Sequence, residues 1–243
     1  MSLKFDSAKK LRKEKSKHKV RSWEEYEERE QKFLKEKYLH KEPTISGSVR
    51  IAGGKAKNFK LEIPKSSRPL TDRMKVRIFD ILSKDIANKT ILDLYAGTGS
   101  FGLEALSRGA KKATFVEASK KAEPILKKNI SHTGFLSQSE VIKEKVEDFL
   151  TGAKEKEKGY EIIFMDPPYK LFNTKRVHKM EKTINSVALL LPGLKYPKKK
   201  IFKGALIIKH PRKYPLKKLE LEKVKRVETY NFGLNSISLF IVK

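Results

Sequence analysis

The sequence predicts an α/β domain built on a largely parallel sheet, and three observations carry that reading. Short apolar runs, among them Thr90–Tyr95, Ala113–Val116, Tyr160–Met165 and Ala205–Lys209, alternate with stretches of helical spacing. The first run ends on a glycine turn, Ala96-Gly97-Thr98-Gly99, that leads straight into a helix. The last two runs, Val224–Tyr230 and Ser236–Val242, lie so close in sequence around Gly233 that they read as an antiparallel hairpin closing the sheet. Strands separated by helices join as right-handed crossovers, which gathers their carboxyl ends on one edge.

Composition narrows the partners. The 243 residues carry 56 Lys and Arg against 29 Asp and Glu, a net charge of +27. Polyanions are the natural partners of such a chain, a solvated lysine-rich surface being the bland alternative. Cysteine is absent, which excludes disulfides and thiolate metal sites, and the histidines form no ligand-spaced pair, so no metal is expected. No apolar run approaches the ~18–20 residues of a membrane span. The amino terminus is charged without an apolar core, and acids at Glu24–Glu30 argue against a transit peptide. The expected setting is the cytoplasm, away from membranes.

Met1–Thr44 reads as a basic extension and 45–243 as the main domain. Met1–Arg21 is rich in Lys and Arg with few apolar residues. Ser22 with Glu25 forms a capping box, and Trp23, Tyr26, Phe33 and Leu34 give the following helix a thin apolar stripe until Pro43. This extension reads as an RNA-gripping arm, a solvating tail or a helix docked on the core. Ser46–Pro64 reads as a hairpin turning at Gly53-Gly54, studded by Arg50, Lys55, Lys57 and Lys60. Thr71 or Asp72 caps a helix to about Ser83, buried through Met74, Ile78, Ile81 and Leu82. Arg68, Arg73 and Arg77 gather at its start, where a phosphate or carboxylate can be held.

Beyond the glycine turn, Ser100–Arg108 reads as a helix stopped by Gly109, and Ser119–Ser131 as the next. Val141–Lys143 is a short strand, and Val146–Leu150 begins a further helix ahead of a charged loop, Lys154–Lys158. Thr174–Leu191 is helical, and Pro192–Lys203 is a Lys/Pro-rich loop.

Two stretches carry chemistry. Gly97-x-Gly99-x-x-Gly102 fits a dinucleotide fingerprint, but Asp93 at the strand end repels a pyrophosphate. Asp93 suits a ligand with an ammonium and a sulfonium, which is S-adenosylmethionine. Glu117, ending the next strand, is placed for ribose hydroxyls. The run Tyr160–Met165 ends in Asp166-Pro167-Pro168-Tyr169, beside the same cradle. Two prolines make a rigid loop whose carbonyls serve only as acceptors. A carboxylate and a rigid carbonyl suit an exocyclic base amine, whose N–H bonds they accept as positive charge develops on nitrogen. Tyr169 offers a face for an extruded base.

Together these motifs resemble the RsmD family, which methylates guanine N2 in bacterial small-subunit ribosomal RNA. The matching residues are Arg68-Pro69 with Thr71-Asp72-Arg73, Leu92–Ser100, Gly102–Ala110, Glu117, Asn129 and Asp166–Tyr169. The resemblance covers roughly residues 45–243 and implies a Rossmann-like, seven-stranded, S-adenosylmethionine-dependent methyltransferase. Carried onto this sequence, it makes Asp93, Tyr95, Ala96, Gly97, Thr98, Gly99, Glu117 and Asp166 cofactor contacts. It assigns Asp166, Pro167, Pro168 and Tyr169 to the guanine, and Arg50, Arg68, Thr71, Arg73 and Tyr169 to substrate RNA. The expected partner is ribosomal RNA or the assembling small subunit, met by a monomer. Leu70, Val76, Lys145 and Lys209 depart from the family pattern, Lys209 standing where an acid is usual. Adenine-N6 methylation of DNA or RNA, and an assembly factor that binds RNA without turnover, are the rival readings.

Overall fold

A computed structural model describes residues 45–65, 67–82, 85–155, 159–172, 177–192, 204–214, 216 and 219–243. The amino-terminal arm and helix, and all of the Lys/Pro-rich loop after Pro192, lie outside the described residues. The elements are β1 (Ile45–Arg50), β2 (Lys60–Pro64), α1 (Asp72–Ile81), β3 (Thr90–Leu94), α2 (Ser100–Ser107) and β4 (Lys112–Val116). They continue with α3 (Glu123–His132), β5 (Ser139–Ile142), α4 (Val146–Glu155), β6 (Ile162–Met165) and α5 (Val177–Ala188). The chain closes with β7 (Ala205–Pro211), β8 (Val224–Phe232) and β9 (Asn235–Val242).

A seven-stranded sheet runs β5-β4-β3-β6-β7-β9-β8, with β1 and β2 forming a separate hairpin. The neighbours from β5 to β7 are parallel, and β9 is antiparallel to both β7 and β8. This is the α/β, Rossmann-like architecture read from the sequence.

Strand periodicity sorts the core into two layers. Ile91, Ala113, Phe115, Ile162 and Phe164 face one side, against α1, α2 and α3. Leu92, Leu94, Val116, Ile163 and Met165 face the other, against α4 and α5. Phe101 of α2 stacks on Phe164 with centroids 4.4 Å apart. Large apolar side chains buried this fully stabilise by roughly 1.5–3 kcal/mol each.

The hairpin β1–β2 is docked on α2 by polar bonds. Glu104, wholly buried, accepts from the Ala52 amide at 2.7 Å and from Arg108 Nε at 2.9 Å. Ser107 Oγ donates to the Gly53 carbonyl at 2.6 Å and accepts from the Ala56 amide at 2.9 Å. Lys75, also wholly buried, donates to the Arg50 carbonyl and lies 3.1 Å from Asp72 Oδ1. Buried charges persist only where such partners replace water. Gly54 makes the approach possible: at φ +77, a Cβ there would lie 1.9 Å from the Ser107 carbonyl oxygen.

Several boundaries differ from the sequence reading. Helix α3 starts at Glu123 rather than Ser119, because Ser119 Oγ ties the Lys121 and Ala122 amides into a turn. Pro124 restricts the residue before it as well. Helix α4 runs to Glu155, through the start of the expected charged loop. Helix α5 ends at Ala188 rather than Leu191, followed by turns before Pro192. In α1, Lys75 and Phe79 are buried beside Met74 and Ile78, while Ile81 is only half-buried. Strand β7 extends through Pro211 because β9 pairs with it that far.

Candidate active site

Register places the site. Leu94 pairs with Val116 on one side and Met165 on the other, and Met165 pairs with Ile208. The next residue of each strand therefore falls in one row at the sheet's carboxyl edge: Glu117, Tyr95, Asp166, Lys209. In an open α/β sheet, that edge is where ligands bind.

The glycine turn holds three left-handed residues: Tyr95 (φ 61), Gly97 (φ 54) and Gly99 (φ 73). For tyrosine this conformation is strained by about 1–3 kcal/mol, a cost tolerated where a site dictates geometry. It turns the ring towards the α4 and α5 layer, where its hydroxyl is buried without a hydrogen-bond partner among the described residues. Burial, with the Glu147 charge, pushes that hydroxyl's pKa up. Glu117 braces the turn: Oε2 accepts from the Gly97 amide at 2.8 Å and Oε1 from the Ser119 amide at 2.7 Å. Ala96 and Thr98 lie buried within the turn. The Thr98 carbonyl accepts from Asn129 Nδ2 at 3.0 Å, and Asn129 also pairs with both backbone groups of Glu62. Asn129 thus locks β2 to the turn. Ser67 lies over it, since a Cβ on Gly97 would come 2.7 Å from Ser67 Oγ.

Asp93 is 2% exposed, and its Oδ2 accepts from the Gly102 amide at 3.0 Å. It pins the turn to the first turn of α2, whose early N–H groups have no helical partner. Burial pushes its pKa well above the usual carboxylate range, and the charges of Asp166 and Glu117 add to that. The reading from sequence put Asp93 against the ligand; the structure gives it this bond inside the protein.

These groups fit S-adenosylmethionine. The turn lacks a Cβ where Ser67 crosses it, and Tyr95 brings an orphaned hydroxyl. Glu117 and Asp166 stand in one row at the sheet's carboxyl edge, and each Glu117 oxygen keeps a lone pair for a ribose hydroxyl.

Asp166 follows β6 directly. Its Oδ2 accepts from Lys209 Nζ at 2.7 Å, and the Asp166 side chain is 22% exposed. Burial raises its pKa, and the Lys209 ammonium opposes that shift. Lys209 Nζ also donates to the Arg68 carbonyl at 3.3 Å. Pro167 is buried and Pro168 exposed, and a short turn over Tyr169–Leu171 follows. The Tyr169 hydroxyl donates to Asn235 Oδ1 at the β8–β9 turn, and the Arg68 guanidinium lies 6.0 Å from the Tyr169 ring centroid.

Thr71 caps α1, accepting from the Met74 amide at 3.4 Å, so its hydroxyl serves the helix. Arg73 is exposed on the same first turn. Arg50 Nε bonds Asp72 Oδ2 at 3.0 Å, which holds it against that turn rather than at the strand ends. The basic side chains thus gather around the start of α1, and the backbone of Arg68 links them to Asp166. Among the described residues, no group of three or more His, Asp or Glu is placed to hold a metal.

Sequence reasoning missed three contacts: Lys209 with Asp166, Tyr169 with Asn235, and Ser67 over Gly97. The first had a signal. A single lysine ends an apolar strand at the same count that places Asp166 after Met165.

The family model described as conserved hypothetical protein 95 matches residues 49–214. Ribosomal RNA small subunit methyltransferase D of Haemophilus influenzae is 40% identical over 130 residues, 52% of this chain and 67% of that protein. The chain belongs to the RsmD family. The Escherichia coli RsmD protein, ribosomal RNA small subunit methyltransferase D, is 37% identical over 149 residues, 60% of this chain and 70% of that one. The solved structure of the putative methyltransferase yhhF from Escherichia coli superposes with a TM-score of 0.63 at 26% identity. It covers 81% of this chain and 99% of that one. The RsmD match thus spans the glycine turn, Asp166–Tyr169 and Lys209.

Proposed function

We propose that this chain transfers a methyl group from S-adenosylmethionine to the exocyclic N2 of a guanine in small-subunit ribosomal RNA. The observation that carries the reading is Asp166, its carboxylate paired with an ammonium, one strand from the glycine turn and in one row with Glu117. Relatives named for small-subunit ribosomal RNA methylation support the substrate. The net charge of +27 supports a polyanion.

When bound, S-adenosylmethionine supplies an electrophilic methyl on a sulfonium. Glu117 would hold its ribose hydroxyls, beside the turn Tyr95–Gly99 that Glu117 braces. Asp166 and the Pro167 carbonyl accept the two N–H bonds of the guanine amine. The amine's lone pair is then drawn out of the ring and aimed at the methyl. The amine nitrogen would take the methyl from the bound cofactor, the electron pair staying on sulfur, and Asp166 would take the surplus proton. Tyr169 stacks on the base, a contact worth roughly 1–3 kcal/mol in such sites. Arg68 and Arg73 hold phosphates on either side, with Arg50 and Thr71 at the same helix start.

Nucleoside analysis of ribosomal RNA from a strain lacking the gene, after incubation with the protein, tests this reading. The expected product is N2-methylguanosine. N6-methyladenosine would transfer the site to the adenine reading, and tight RNA binding without any methylated nucleoside would leave an assembly factor.

A further inference from the structure

Lys209 has no part in the chemistry above, yet it is the cation built into its centre. Its side chain is 5% exposed. A lysine this buried needs partners that replace its water. Its two partners come from different parts of the molecule. Asp166 Oδ2, 2.7 Å away, belongs to the catalytic turn after β6. The Arg68 carbonyl, 3.3 Å away, belongs to the segment that crosses Gly97 at Ser67 and enters α1 with Arg73. With Oδ2 committed to the ammonium, Oδ1 is the Asp166 oxygen left to meet the amine.

We propose that Lys209 is a positioning residue: it orients the Asp166 carboxylate and ties the RNA-holding segment 67–73 to it through the Arg68 carbonyl. The inference rests on the methyl-transfer reading for its consequence in catalysis, but the tie itself stands on geometry. RNA seated on Arg68 and Arg73 then arrives with its amine in register with Oδ1. A charge-assisted bond suits this task because it is short and directional. The charged group acting on Asp166 is Lys209 from β7. Without the ammonium, burial disfavours the ionised carboxylate.

The test compares Lys209→Met and Lys209→Arg with the parent, using ribosomal RNA from the deletion strain and deuterium exchange over residues 67–71. Lys209→Met is expected to lower kcat by about 10²-fold, the scale of a small misplacement of reacting groups. The acid limb of its pH–rate profile moves to higher pH, its affinity for S-adenosylmethionine stays at the parent value, and exchange over 67–71 quickens. Lys209→Arg restores most of each. Parental kcat with an unmoved acid limb in Lys209→Met would overturn the proposal, as would unchanged exchange. So would a loss that arginine does not restore and that extends to cofactor affinity, which marks a residue of the fold alone. If the parent itself methylates no ribosomal RNA, the functional reading fails, and the exchange comparison decides the tie independently.

Discussion

Acid should weaken this fold through one buried imidazole next to the site. His210 follows Lys209 in β7 and is 4% exposed. Its Nδ1 lies 2.9 Å from the Pro211 carbonyl, which only accepts, so Nδ1 carries the hydrogen. Nε2 then accepts from Ser238 Oγ at 2.9 Å, and Thr229 Oγ1 completes the chain 2.7 Å from Ser238. Charging the ring would reverse those bonds away from water. Burial above all, with the Arg226 charge, lowers its pKa from 6.5 to about 4, against the pull of the Pro211 carbonyl. The unfolded imidazole takes up a proton below 6.5, and the folded one does not until about 4. Stability is therefore fully present above 6.5, falls with pH through that window and levels below it. At about 1.4 kcal/mol per pH unit, the gap amounts to about 3 kcal/mol. That is a large part of the ~5–15 kcal/mol that holds a typical domain folded. Urea unfolding from about pH 7.5 to about pH 4, on the parent and on His210→Gln, measures it as a difference in which other titrating groups cancel. The parent should lose about 3 kcal/mol more than the variant across the window. Parallel curves would refute the assignment of a neutral, protected ring.

Gly54→Ala should destabilise by about 2–5 kcal/mol in urea unfolding, since a left-handed backbone and a clash with the Ser107 carbonyl add together. Glu117→Gln should weaken S-adenosylmethionine binding by roughly 10–100-fold in calorimetry, the scale of one bond to a charged acceptor, while RNA affinity holds. Arg68→Ala with Arg73→Ala should weaken RNA binding across sequences and lower the slope of log affinity against log salt by roughly 1–2. An unchanged slope would mean these arginines do not meet phosphates.

The fold was legible because its signals are local. Short, nearly continuous apolar runs along β3 and β6 mark strands buried on both faces, and Gly97 and Gly99 mark a turn that other residues adopt only under strain. Asp166 was legible because an acid after an apolar strand, followed by two prolines, has few structural uses. The hidden contacts are of another kind. Lys209 and Asp166 stand 43 residues apart in sequence, and only strand order and register make them neighbours. The bond from Tyr169 to Asn235 spans 66 residues and depends on β9 pairing β7 through Pro211. Asp93 illustrates a further limit. Its position at a strand end was evident, but its bond to the Gly102 amide depends on the angle at which α2 leaves the turn.

The most direct test of the central claim is a count of methyl groups delivered to ribosomal RNA from the deletion strain by the parent and by Asp166→Ala, with S-adenosylmethionine affinity measured alongside. The account predicts that the alanine variant loses at least ~10²-fold in turnover at saturating cofactor, whatever its affinity for S-adenosylmethionine, as when a single preorganised charge-stabilising group is removed. Turnover equal to the parent's, with the carboxylate gone, would contradict it.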